Sequence, residues 1–345
     1  MEPGWRPGRL ADGPDEPPGV SRLPATGTSD RMDPAEHDAP PVPVAEGEST
    51  PHATVTDAEP TSQQSSQMSD TVFTPIVESK GGMQMPRLGF GTFQLDPDTA
   101  ERMVAEAIET GYRHVDTAQM YQNEAAVGKG LIASGVSTDE IFVTTKVDND
   151  NHEPEALVES VEKSLEKLQL DHVDLLLIHW PVEYDRISAT MAALANVHAG
   201  GMARHIGVSN FTVEQLDEVK GMAPIEALQV ECHPYLQQRD LLDWCVQNGF
   251  ALTAYSPVAQ GKVFDDDTLG EIAEAHDSNP GAVALAWLMQ RDHVCAIPRT
   301  SSSDHLADNF AAVELELTDD EIARIDALDD ADGRIVSPPF APWAD

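Results

Sequence analysis

Eight short apolar or β-branched runs recur along residues 71–345, each followed by a stretch with helical periodicity, and no other feature restricts the fold as much. The runs are Arg87–Gly91, Arg113–Asp116, Ile141–Lys146, Val173–His179, His205–Val208, Ala227–Glu231, Ala251–Tyr255 and Val294–Pro298. Strands separated by helices pair in parallel, because a helix-length crossover returns the chain to the same edge of the sheet. Eight such units close a sheet on itself, so the pattern predicts one (β/α)8 barrel domain, a TIM-barrel α/β fold. The stretch Glu155–Leu168 shows the helical half of a unit: Leu157, Val161, Leu165 and Leu168 share one face, with Glu and Lys opposite.

Residues 1–70 differ in kind. They hold roughly half of the chain's 25 prolines and one aromatic residue, Trp5, a composition that buries too little surface to offset ordering entropy. A disordered, acidic extension is expected there. Alternatively the true start lies near Met68, since Met68-Ser69-Asp70 leads directly into apolar sequence.

Charge narrows the partners. Asp and Glu total 60 against 21 Lys and Arg, a formal charge of −39, which repels phosphate backbones and anionic lipid headgroups. Nucleic acid and membrane partners are not expected. With 41% hydrophobic residues the chain still builds a large core, so the acidity belongs to a surface; adaptation to high salt in a halophile is expected, the alternative being a mesophilic acidic protein. Cys232, Cys245 and Cys295 are odd in number and lack CxxC spacing, which fits a reducing, cytoplasmic setting better than a disulfide framework. No signal-peptide pattern opens the chain.

A parallel barrel does its chemistry at the C-terminal ends of its strands. Asp116, Lys146 and His179 end the second, third and fourth runs, and Tyr121 lies in the loop after the second. Taken singly these are a helix cap, a surface charge, a core histidine and a packed loop tyrosine. Together they aim a carboxylate, an ammonium, an imidazole and a phenol at one mouth. Too few His and carboxylate groups sit there for a metal-dependent hydrolase, and no metal ligand set is expected.

The chain also carries Gly111-Tyr-Arg-His-Val-Asp-Thr-Ala-Gln-Met-Tyr-Gln-Asn-Glu124, Thr145-Lys146, Leu176-Leu-Ile-His-Trp-Pro181, Gly207-Val-Ser-Asn-Phe211, Gln229-Val-Glu-Cys-His-Pro234 and Ala254-Tyr-Ser-Pro257. In order and spacing these resemble the aldo-keto reductases, on the side of the 2,5-diketo-gluconate and aldehyde reductases, from about residue 75 to 335. The resemblance implies that Asp116, Tyr121, Lys146 and His179 are the family's catalytic tetrad, in an enzyme that reduces aldehydes or ketones with a nicotinamide. Tyr121 is then the proton donor, its pKa lowered by the Lys146 charge; Asp116 holds Lys146, and His179 orients the carbonyl.

No G-x-G-x-x-G opens a βα unit, so a Rossmann site is not expected. The resemblance instead lays NADPH across the mouth: Ser209, Asn210 and Gln229 on the carboxamide, Tyr255 stacked on the ring, Ser256, Pro257 and Val258 along the pyrophosphate, and Gly91 and Thr92 also among the cofactor contacts. Ile297-Pro-Arg-Thr-Ser-Ser-Ser-Asp-His-Leu-Ala-Asp-Asn309 resembles the adenosine-binding stretch, with Arg299, Thr300, Ser301, His305 and Asn309 as contacts. His305 stands where the family commonly has Arg, and a neutral imidazole grips a 2′-phosphate less firmly, so use of NADH is open. Phe93 and Trp180 are the expected substrate contacts for a small carbonyl compound. The loop Val147-Asp148-Asn149 lacks an aromatic residue that the family often has there. Ser337-Pro-Pro-Phe-Ala-Pro-Trp343 either folds over the mouth or trails away. A monomer is expected, as is common among small members of the family.

Overall fold

The computed structural model describes residues 75–343, so the expectations for residues 1–70 lie outside the described part of the chain. It begins with an antiparallel hairpin, β1 (Ile76–Glu78) and β2 (Gln84–Pro86). Val77, Met83 and Met85 are buried against Leu175, Leu177, Ala227, Ala251 and Cys295. Ala251 opens its strand and Ala227 lies near the start of its own, so the hairpin plugs the N-terminal end of the barrel. Arms of three residues are too short for periodicity to reveal, which is why the strand pattern misses the plug.

Eight parallel strands follow: β3 (Phe90–Gly91), β4 (His114–Asp116), β5 (Phe142–Val147), β6 (Val173–Ile178), β7 (Ala203–Ser209), β8 (Ile225–Glu231), β9 (Ala251–Tyr255) and β10 (Val294–Ala296). They pair in sequence order, and Leu88 bridges Ala296 to join the last strand to the first. The seam is sealed by hydrogen bonds from Ala296 N–H to Arg87 O, Gly89 N–H to Ala296 O and Gly91 N–H to Pro298 O, at 2.8, 2.9 and 3.0 Å. A side chain at position 91 would bring its Cβ within 2.9 Å of Ile297 O, so glycine is needed here for backbone to meet backbone. The (β/α)8 fold follows the periodic pattern, with ends that differ by a few residues. The first run narrows to Phe90–Gly91, and the fifth lengthens to Ala203–Ser209.

Around the sheet lie α1 (Pro97–Thr110), α2 (Glu124–Ala133), α3 (Pro154–Leu168), α4 (Ile187–Ala199), α5 (Val213–Val219), α6 (Arg239–Asn248), α7 (Asp267–Ala275), α8 (Pro280–Gln290), α9 (Ser303–Ala311) and α10 (Asp319–Asp326). Leu157, Val161, Leu165 and Leu168 of α3 are all buried, as their spacing requires. The main core lies between helices and strands. It contains Val115 of β4, Val143 and Val147 of β5, and Leu176 and Ile178 of β6.

The alternate residues of those strands point inward, because side chains switch faces at every step. His114 and Thr144 meet inside the barrel at 3.1 Å, so Asp116 and Lys146, each two residues further along, face inward one layer higher. Leu175 and Leu177 likewise face the barrel interior, which carries His179 to the same layer. Period two therefore brings three of the four candidate groups to one mouth.

Candidate active site

Lys146 is fully buried, and its ammonium is the centre of the site. Its Nζ donates to Asp116 Oδ1 at 2.5 Å, to Thr117 O at 2.8 Å and to Tyr121 Oη at 3.2 Å. An ammonium has three N–H donors, and all three are used. Because Tyr121 Oη accepts from Lys146, the phenol proton points away from it. Tyr121 ends a short 3-10 turn, Gln119–Tyr121. That turn is tied to the next loop by Gln119 Oε1, which accepts from Asp148 N–H and Asn151 Nδ2, both at 2.9 Å.

The rings of Phe93 and His179 stand 5.0 and 5.7 Å from that of Tyr121, and Lys146 Nζ lies 4.9 Å from its centroid. Burial, and then the Asp116 carboxylate, push the phenol well above its ordinary pKa. That net rise is set by burial first, with the Asp116 carboxylate that pairs with Lys146 at 2.5 Å adding to it. Lys146 acts on Tyr121 through a directed hydrogen bond from its ammonium, which favours the phenolate. Burial also lowers the Lys146 ammonium, an effect opposed by Asp116. His179 is held well below its usual value by burial, with Lys146 adding to the effect, so the imidazole is neutral at pH 7. No described residue pairs with its buried Nδ1.

Next to this cluster, Ser209 of β7 and Gln229 of β8 are register partners. Gln229 Nε2 donates to Asp116 Oδ2 at 2.8 Å. Asn210, in the left-handed conformation at φ 66°, spends its amide internally: Nδ2 donates to His179 O and Ser209 Oγ, and Oδ1 accepts from Tyr255 Oη at 2.9 Å. Among the described residues, nothing donates to Gln229 Oε1 and nothing accepts the Ser209 hydroxyl proton. One acceptor and one donor side by side match the NH2 and C=O of a carboxamide, so Ser209 and Gln229 fit a nicotinamide. Asn210 fits less well as a direct ligand and better as the brace for Ser209 and Tyr255.

The model of the aldo/keto reductase family matches residues 87–330. This chain is an aldo/keto reductase. The reductase is 41% identical over 261 residues to the methylglyoxal reductase DkgB of Salmonella typhi, a match spanning 74% of this chain and 97% of that one. It resembles the crystal structure of a candidate 2,5-diketo-D-gluconic acid reductase B at 41% identity and a TM-score of 0.77, covering 79% of this chain and 98% of the other. A variant of Gox0644 in complex with NADPH matches with a TM-score of 0.73 at 32% identity, covering 77% and 98% of the two chains. The reductase is thus an oxidoreductase that converts aldehydes or ketones to alcohols. Among the described residues, no helix is long and apolar enough to cross a membrane.

The other expected contacts divide by environment. Thr92 is buried, and both its N–H and its hydroxyl donate to Asp116 O at 3.0 Å, so Thr92, like Gly91, braces the strand beneath Asp116. Ser256, Ala259 and Gln260 all have positive φ in the loop after β9, where Pro257 is buried and Ser256 and Val258 are partly exposed. Arg299, Ser301 and His305 are exposed around the N-terminus of α9, Thr300 is buried, and Asn309 is partly buried within the helix. The Ser302 side chain caps α9 through His305 N–H, and Ser303 Oγ donates to Glu106 Oε2 at 2.6 Å. A carboxylate therefore stands at the turn that the resemblance assigns to a 2′-phosphate.

On the substrate side, Phe93 is half exposed and Trp180 is buried. Trp180 is covered by Phe340 and Trp343 at ring distances of 5.4 and 5.7 Å. The C-terminal segment folds over the mouth, which decides between the two courses open to it. Sequence reasoning did not single out Glu231, Arg334 or Phe340. The one available signal was a carboxylate at the C-terminal end of a strand, where barrel chemistry sits.

Proposed function

We propose that this reductase uses NADPH to reduce small aldehydes and ketones, with reactive dicarbonyls of the methylglyoxal type as the first class to test. The observation that carries the chemistry is the threefold use of Lys146, which leaves the Tyr121 proton directed away from the ammonium. NADPH, when bound, supplies the hydride. Tyr121 gives its proton to the carbonyl oxygen as negative charge develops there, and Lys146 stabilises the phenolate that remains. Asp116 fixes Lys146, and Gln229 fixes the second oxygen of Asp116. His179, neutral and buried, orients the carbonyl. Ser209 and Gln229 would hold the carboxamide, Tyr255 would meet the ring, and Ser256–Val258 would hold the pyrophosphate. Arg299, Thr300, Ser301, His305 and Asn309 would receive the adenosine end.

The domain comprises residues 71–345, and the protein acts as a cytoplasmic monomer suited to high salt, as its charge of −39 supports. The test is NADPH loss with methylglyoxal and with a nitrobenzaldehyde, repeated with NADH. Turnover with either carbonyl supports the assignment. Tight cofactor binding without turnover would instead mark a nucleotide-binding barrel without catalysis.

A further inference from the structure

Glu231 is the last residue of β8 and is completely shielded from solvent, yet neither the tetrad nor the carboxamide site uses it. Its Oε1 accepts from the backbone N–H of Ile335 at 2.7 Å and lies 3.0 Å from His233 Nε2. Its Oε2 accepts from Val336 N–H at 2.9 Å and lies 4.0 Å from Arg334 Nη1. Three of these four partners are consecutive residues of the C-terminal segment, about a hundred positions away in sequence. Burying a carboxylate costs several kcal/mol unless it is fully paired. An apolar residue at this strand end would carry no such cost.

Among the described residues, no helix or strand follows α10 to fix the course of this segment. Glu231 supplies one anchor and Gly333 a second: a side chain there would drive its Cβ into Tyr235 O, in the loop following β8. Beyond the anchors, the Arg334 guanidinium stacks 3.9 Å from the Trp343 ring, and Trp343 and Phe340 pack on Trp180. Trp180 stacks in turn on His179, with centroids 6.5 Å apart. An unbroken chain of contacts thus runs from the buried carboxylate to the imidazole beside Tyr121.

We propose that Glu231 is a positioning residue for the carbonyl substrate: through residues 334–336 it sets where Phe340 and Trp343 stand over Trp180, and so shapes the substrate side of the mouth. The inference rests on the assignment of this mouth to carbonyl reduction. Glu231→Gln keeps the size and one acceptor but loses the charge that two backbone N–H groups and Arg334 share. The expected result is a rise of about tenfold in carbonyl KM, with kcat within about threefold and cofactor Kd within about twofold, since binding geometry and not the proton transfer is disturbed. Tryptophan emission shifts to longer wavelength as Trp343 leaves Trp180.

Combined Phe340→Ala and Trp343→Ala raises KM similarly. Adding Glu231→Gln to that pair raises it no further, because the carboxylate acts through the rings already removed. Unchanged KM and emission in Glu231→Gln, or effects that add in the triple variant, would overturn the proposal. If the native enzyme turned over no carbonyl, the functional assignment would fail, and the emission shift would still report whether Glu231 holds the segment.

Discussion

Replacing Tyr121 with Phe separates the proton from everything else the residue does. The ring contacts with Phe93, His179 and Lys146 survive, since Phe fills the same space. Only the 3.2 Å hydrogen bond from Lys146 is lost, while the bonds to Asp116 and Thr117 remain, so the stability cost is on the order of 1 kcal/mol. The catalytic cost is much larger. A positioned general acid contributes roughly 10² to 10⁴ in rate, or about 3 to 5 kcal/mol of barrier.

Turnover of an aldehyde is followed by NADPH absorbance, cofactor affinity by fluorescence quenching, and folding by Tm. The expected variant binds NADPH as tightly as the native enzyme, melts within a few degrees of it, and loses at least about a hundredfold in kcat. Activity within tenfold of native, with intact cofactor binding, would refute Tyr121 as the acid. The pH profile provides a second check. Burial raises the phenol pKa, so the donor form persists through neutral pH, and native reduction falls only in the alkaline range, as pH climbs through the raised value.

Other perturbations probe the surroundings of the site. Lys146→Met leaves the buried Asp116 carboxylate with Gln229 as its one remaining side-chain partner among the described residues, and chemical denaturation should show a loss of roughly 3–5 kcal/mol together with the loss of activity. Acid should destabilise the fold before the carboxylates titrate. Burial lowers His114 to about 4, so below pH 6.5 the unfolded chain takes up a proton that the folded one refuses, and stability falls progressively until about pH 4. That interval is worth on the order of 3 kcal/mol for His114, and the slope of stability against pH should be shallower in His114→Gln; equal slopes would exclude His114 as the source. With 60 carboxylates against 21 cations, Tm should rise between 0.1 and about 2 M KCl as screening shortens, and a Tm indifferent to salt would count against a salt-adapted surface.

How much of the molecule was readable in advance follows from the range of each interaction. Strand and helix periodicity are local, so eight βα units and the layer shared by Asp116, Lys146 and His179 could be read from spacing alone. The motif order around Tyr121, Asn210 and Gln229 identified the family for the same reason. Three things depended on contacts between distant residues. The β1–β2 plug has arms too short to announce themselves. The pKa direction of Tyr121 depends on how deeply the ring is buried and how closely the Asp116 carboxylate approaches it, and neither is encoded in spacing. The course of residues 334–343 has no periodic pattern. It is set by a buried carboxylate on β8 and by the packing of Phe340 and Trp343 on Trp180, partners that come together only when the barrel has closed.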